Sequence, residues 1–105
     1  MGKAMKKKVF ISLPITSRPE KTLEEKIYKA KRGAREIADI FKKEGYEVVT
    51  PFDVTKDGMT EAQCIGACIT ALLECDCVYF CLGWENSRGC RIEHFIATEH
   101  NIEII

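Results

Sequence analysis

The sequence predicts an α/β fold, a three-layer sandwich built on one parallel sheet. Three observations carry that expectation. Strand-like and helix-like runs alternate from Lys8 to the last residue, and alternation of this kind means parallel strands joined by right-handed crossovers. The run Cys77 to Leu82 (C-V-Y-F-C-L) is apolar throughout, as a strand is when both its faces are covered. The chain has 105 residues, enough for one sheet with helices on it and too few for two cores. It is read as a single domain spanning residues 1–105.

Each element has its own signal. Lys8 to Leu13 (K-V-F-I-S-L) is β-branched and aromatic, a buried first strand. Pro14 to Lys21 is a loop. Thr22 with Glu25 three residues on forms a capping-box pattern that opens a helix. Leu23, Ile27, Ala30, Ala34, Ile37 and Phe41 then recur at steps of four and three, an apolar stripe over five turns, with Tyr28 packing beside it. Gly45 ends that helix as a left-handed cap. Tyr46 to Thr50 is a second strand and Pro51 to Met59 a loop. Thr60 with Gln63 caps a second helix running to Glu74. Cys77 to Leu82 is the third strand, Ser87 to Asn101 the third helix, and Ile102 to Ile105 a short last strand. Strand order 2-1-3-4 then gives a flavodoxin-like or Rossmann-like sheet. Its ligand crevice lies beyond the carboxyl ends of strands one and three, so the loops Pro14–Lys21 and Gly83–Gly89 are expected to face each other across it.

Composition narrows the function classes. Hydrophobic residues make up 46% and charged residues 30%, the balance of a soluble globular domain. Sixteen basic and sixteen acidic residues cancel to a net charge of zero. That argues against a nucleic-acid polymer as partner, because such binding needs a basic surplus to displace counterions. No stretch approaches membrane-spanning length and no signal-peptide core follows the first lysines. A cytoplasmic protein without a membrane partner is therefore expected. Lys3, Lys6, Lys7 and Lys8 read as a solvated lead-in to the first strand. The six cysteines, Cys64, Cys68, Cys75, Cys77, Cys81 and Cys90, read as reduced, small apolar residues. Cys64 and Cys68 share a helix face, but no C-x-x-C pair exists and the two histidines are not spaced to complete a zinc site. Neither metal nor cofactor is expected.

The most informative stretch is Cys81 to His94, C-L-G-W-E-N-S-R-G-C-R-I-E-H. It reads as a strand end, a turn, and a helix whose first turn carries small and polar groups. Asn86 or Ser87 caps the helix, Gly89 allows close backbone approach, and Arg88 adds positive charge. Such a helix start can hold a phosphate or carboxylate; the plainer alternative is an ordinary cap with a turn glycine, and Glu85 weakens the anion reading unless it points away. Glu93 shares a helix face with Gly89, Ile96 and Ala97. It is either a partly buried nucleophile or base, or a solvent-facing partner of Arg88 or Arg91. Trp84 either walls the pocket or stacks on a base, or covers core. Asp53 and Asp57 follow the second strand on the ligand side. Asp76 sits at the opposite end, as a turn or cap residue.

Three segments carry a resemblance over nearly the whole chain: V-F-I-S-L-P-I-T near the start, E-V-V-T-P after the first helix, and L-L-E-C-D-C-V-Y-F-C-L-G-W-E-N-S-R-G-C-R-I-E-H near the end. They resemble the nucleoside 2-deoxyribosyltransferase superfamily, in its short bacterial and phage branch, and are similar to deoxynucleoside 5′-monophosphate N-glycosidases. The last segment is the specific one.

The resemblance implies cleavage of the N-glycosidic bond of a deoxynucleoside or its monophosphate, by hydrolysis or transfer, through a helix glutamate that forms a deoxyribosyl-enzyme. Glu93 aligns with that nucleophile. Ser87 aligns with a position at the sugar's 5′ end, where serine accompanies phosphate binding. Phe10, Leu13, Pro14 and Trp84 join Ser87, Arg88 and Gly89 as expected substrate neighbours. The resemblance also implies a homodimer or larger assembly. Three positions depart from the pattern. Phe10 stands where active members carry a tyrosine hydroxyl that orients the nucleophile. Leu13 replaces a glycine, and Cys68 replaces an aspartate that assists the leaving base. Two further readings therefore stand beside the enzyme. One is a nucleotide-binding module without the glycosidase chemistry; the other is a cysteine-based redox or metal protein.

Overall fold

The computed structural model describes residues 6–105. Its four strands are β1 (Lys8–Ser12), β2 (Glu47–Val49), β3 (Cys77–Phe80) and β4 (Glu103–Ile104). They form one parallel sheet in the order β2-β1-β3-β4. The helices are α1 (Leu23–Lys43), α2 (Pro51–Val54), α3 (Glu61–Leu73) and α4 (Arg88–Glu99), with a single 3-10 turn at Trp84–Asn86. The sheet order and the α/β class are those the alternation predicts. Among the described residues no helix is long and apolar enough to cross a membrane.

β1 lies at the centre, and its pleat divides the molecule. Val9, Ile11 and Leu13 point to one face, where they pack with Ala30 and Ala34 of α1. Phe10 points to the other, against Cys68, Ala71 and Leu72 of α3, Val78 of β3 and Ala97 of α4. Successive side chains of a strand alternate faces, so Ser12 falls on the side of Phe10, toward α3 and α4. Helices on both faces make the sandwich three-layered, and small residues at the contacts let them approach the sheet closely. Asp76 closes the amino end: its Oδ2 accepts from the Lys8 amide at 2.7 Å, and its own amide donates to the Lys8 carbonyl at 2.8 Å. Lys7 and Lys8 pair with Glu103 and Glu47, each at 3.6 Å, while Lys3 lies outside the described residues.

α1 ends as its sequence predicts. Gly45 has φ of +96°. Its amide donates to the Lys42 carbonyl at 3.0 Å, and the Tyr46 amide reaches back to the Phe41 carbonyl at 3.0 Å. The rings of Phe41 and Tyr46 meet edge to face with centroids 5.3 Å apart, the apolar contact that accompanies this cap.

Four expectations need correction. Pro51–Val54 is a short helix, not loop, because Thr50 and Asp53 form a capping box around Pro51 at its start. The α1 stripe begins later than Leu23, which is 57% exposed, and Tyr28 is 59% exposed; the first buried position of the helix is Ala30. The buried positions of α1 are Ala30, Ala34 and Ala38. β3 stops at Phe80, and Leu82 is 99% exposed. Gly83 turns the chain there, with φ of +89°, and apolarity alone does not reveal that the strand has ended.

Two glycines in and beside α1 test these assignments in opposite directions. Gly33 is helical and a Cβ there meets nothing within 4 Å, so Gly33→Ala is expected to stabilise the protein by about 0.5–1 kcal/mol. Gly45→Ala must hold alanine at positive φ and is expected to destabilise it by roughly 1–2 kcal/mol. Urea unfolding of the two variants measures both signs.

Candidate functional site

A cavity of about 430 Å³ opens beyond the carboxyl ends of β1 and β3, within the size range of small-molecule sites. One wall is the loop after β1, through Leu13, Ile15, Thr16 and Ser17. The opposite wall is the start of α4, through Asn86, Ser87, Arg88, Gly89 and Arg91. α3 supplies a third side with Glu61, Cys64, Ile65 and Cys68, and Pro51 and Thr55 close the space near α2. The two loops expected to face each other thus do so.

Glu93 lies on the floor. It is 7% exposed, although it sits only one turn inside α4. The Ser12 hydroxyl donates to its Oε1 at 2.5 Å. Its Oε2 accepts no hydrogen bond within the described residues, yet no sealed side-chain oxygen is left without a partner among them. That oxygen therefore opens onto the cavity. No ion pair joins Glu93 to Arg88 or Arg91; the Arg91 Nη1 donates instead to the Glu85 carbonyl at 2.8 Å. Burial pushes the carboxyl up to about 7, against the downward pull of the Ser12 hydrogen bond. A carboxyl of this kind changes charge near neutral pH, as a nucleophile or general base requires.

The helix start is built by Ser87, which is buried and whose Oγ accepts from the Cys90 amide at 3.3 Å. Of the two candidate caps, Ser87 takes the position and Asn86 ends the 3-10 turn. The remaining free amides of the first turn, Gly89 among them, border the cavity. A Cβ on Gly89 would meet no protein atom within 4 Å, so the space above it is open. Glu85 does not line the cavity.

Three cysteines complete the lining. Burial pushes Cys68 up to about 12. It also pushes Cys90 up, against the pull of the Ser12 and Ser87 hydroxyls. Both stay protonated at neutral pH and serve as small uncharged wall groups. All six cysteines are free thiols. Among the described residues no three His, Cys, Asp or Glu side chains are grouped to hold a metal ion.

The expected site residues separate into two groups. Glu93, Ser87, Arg88, Gly89 and Leu13 line the cavity. Phe10, Pro14 and Trp84 do not. Phe10 is fully buried in the core beneath Ser12. Pro14 is buried, its ring packed beside Gly83. Trp84 stacks on His94 with centroids 4.4 Å apart and planes 14° from parallel, and also touches Phe80; it covers core, one of its two expected places. Asp53 is held in its capping box by the Thr50 amide at 2.8 Å, and Asp57 is exposed; neither lines the cavity. Ser12 and Glu61 were not among the expected residues. A lone polar side chain near the end of an apolar strand was the available signal for Ser12.

Replacing the buried carboxyl separates burial cost from hydrogen bonding. The folded protein holds the Glu93 proton from the ordinary 4.5 up to about 7. Stability is therefore lost as pH rises through that window, by at most roughly 3 kcal/mol. Glu93→Gln keeps an acceptor for Ser12 and removes the titration. Its melting point is expected to match the wild type near pH 5 and to exceed it at pH 8, as calorimetry at both values would show.

Comparison with known proteins adds a family whose description names no function. No curated protein matches the chain. A family model described as "Domain of unknown function (DUF4406)" matches residues 7–105, and with nearly the full length covered, the chain belongs to that family.

Proposed function

We propose that this protein is an N-glycosidase-like or deoxyribosyltransferase-like enzyme. Its substrate is a deoxynucleoside 5′-monophosphate or deoxynucleoside, and its nucleophile is Glu93. The observation that carries the proposal is a buried carboxyl, fixed through one oxygen by Ser12 and open through the other to a cavity beside a helix start. The free oxygen attacks the anomeric carbon, the base departs with the glycosidic electron pair, and a deoxyribosyl ester forms. Water or a second base then resolves it, the logic of retaining glycosidases. The α4 amides, Ser87 and Arg88 receive the 5′-phosphate, since free N–H groups and the positive helix end favour an anion.

Ser12 bears on the departure at Phe10. A hydroxyl that orients the nucleophile is absent from Phe10 but present on Ser12, two residues on and on the same face of β1. The loss at Cys68 has no such replacement at that position. A protonated thiol holding to about 12 is a poor proton donor to a leaving base, and a missing general acid costs about 10²–10⁴ in rate. This favours the second reading, a module that binds nucleotides without cleaving them. Six free thiols and a nucleotide ligand suit a cytoplasmic setting, and self-association into a homodimer or larger assembly belongs to the same proposal.

Incubation with a panel of deoxynucleotides, followed by chromatography of released base, tests the chemistry. Release is expected from the wild type and not from Glu93→Ala; melting-point increases without release identify the binding module. Because the nucleophile must be ionised, kcat/KM is expected to rise as pH passes about 7. Ser12→Ala removes the bond that lowers the Glu93 pKa, so the rising limb moves to higher pH. A profile that is unchanged in Ser12→Ala removes Ser12 from the proposed mechanism.

A further inference from the structure

The charges around the cavity are segregated. Arg88 and Arg91 stand on the α4 wall. On the α3 side stands Glu61, among the described residues the one lining carboxylate besides Glu93. Glu61, Cys64, Ile65 and Cys68 follow one another at i, i+3, i+4 and i+7, a single helix face, and all four line the cavity. Cys68 is close enough to Glu93 to feel its charge. Glu61 lies two turns farther along, roughly 10 Å away along the helix axis. It is exposed and makes no hydrogen bond or ion pair within the described residues.

We infer that Glu61 selects the base, and that the cavity takes a nucleotide whose base carries an exocyclic amino group. The inference rests on the nucleotide proposal above. With the sugar over Glu93 and the phosphate against α4, the base extends along the α3 face. Cys64 and Ile65 offer it apolar surface, and Glu61 stands at the end of its reach. Thr16, Ser17 and Thr55 also line the cavity, but a hydroxyl donates or accepts and does not discriminate. An ionised carboxylate only accepts. It favours the amino group of cytosine or adenine and repels the carbonyl oxygen that replaces it in uracil or hypoxanthine.

The test uses matched pairs differing at that one group: deoxycytidine against deoxyuridine monophosphate, and deoxyadenosine against deoxyinosine monophosphate. Binding is read by thermal shift and cleavage by base release, in wild type, Glu61→Ala and Glu61→Lys. Glu61 is exposed, so the unliganded melting points are expected to stay within a few degrees of each other. Wild type is expected to favour the amino member of each pair on the order of tenfold. Glu61→Ala levels the preference, and Glu61→Lys, a donor only, inverts it. Equal discrimination in all three proteins overturns base selection, whether or not Glu93-dependent release occurs. Glu61-dependent discrimination in binding without release leaves base selection standing and removes the glycosidase. No shift with any of the four nucleotides overturns both.

Discussion

The hydrogen bond from Ser12 to Glu93 joins the two halves of this structure. Ser12 ends the central strand, paired with Phe80 of β3, with its carbonyl accepting from the Cys81 amide at 2.8 Å. Glu93 belongs to the last helix, 81 residues later in the chain. A carboxyl on that floor is costly to ionise, and burial accordingly pushes it to about 7. One fixed donor and one open edge let the protein keep such a group inside without sealing it from the cavity. Moving the sheet against α4 would break this bond, so the packing of α4 on β1 and β3 sets the geometry of the cavity.

The two faces of β1 are used differently. On the α1 side, Val9, Ile11 and Leu13 meet alanines, and the packing is apolar. On the other side Phe10, Cys68, Leu72, Val78 and Ala97 fill the lower part of the layer, and the upper part opens into the cavity. Phe10 thus serves as the base on which the floor rests and does not line it. The cysteines fit this division. Buried thiols that hold their protons up to about 11 or 12 at Cys75, Cys68 and Cys81 behave as small apolar side chains. Cys68, the one of these three that lines the cavity with Glu93, fills its place without adding a second charge, which a carboxylate at position 68 would do.

Much of the framework was legible in the chain. Thr22, Thr60 and Ser87 announce helix starts through local hydrogen bonds to residues three positions on, and each makes that bond. Gly45 announces a helix end because few other residues tolerate its backbone angle. Where the reading of the chain departs from the structure, a longer-range cause decided. The α1 stripe was periodic from Leu23, but that side chain meets solvent and burial begins at Ala30. Leu82 looked like strand because apolarity is shared by buried strands and by exposed turns beside them. Trp84 looked available to a ligand until His94, ten positions on in the chain, covered its face.

Sequence by itself determined the alternation of strands and helices, the parallel sheet, a helix start at Asn86 or Ser87 and the candidacy of Glu93. These depend on patterns within a few residues or on the restricted handedness of crossovers, so they survive without coordinates. Only tertiary structure decided that Glu93 is buried, that Ser12 is its partner, and that Glu61 faces the same cavity while Phe10, Pro14 and Trp84 do not. Those facts depend on distances between segments far apart in the chain. The packing of two helices on one sheet face sets them, and no local pattern encodes them.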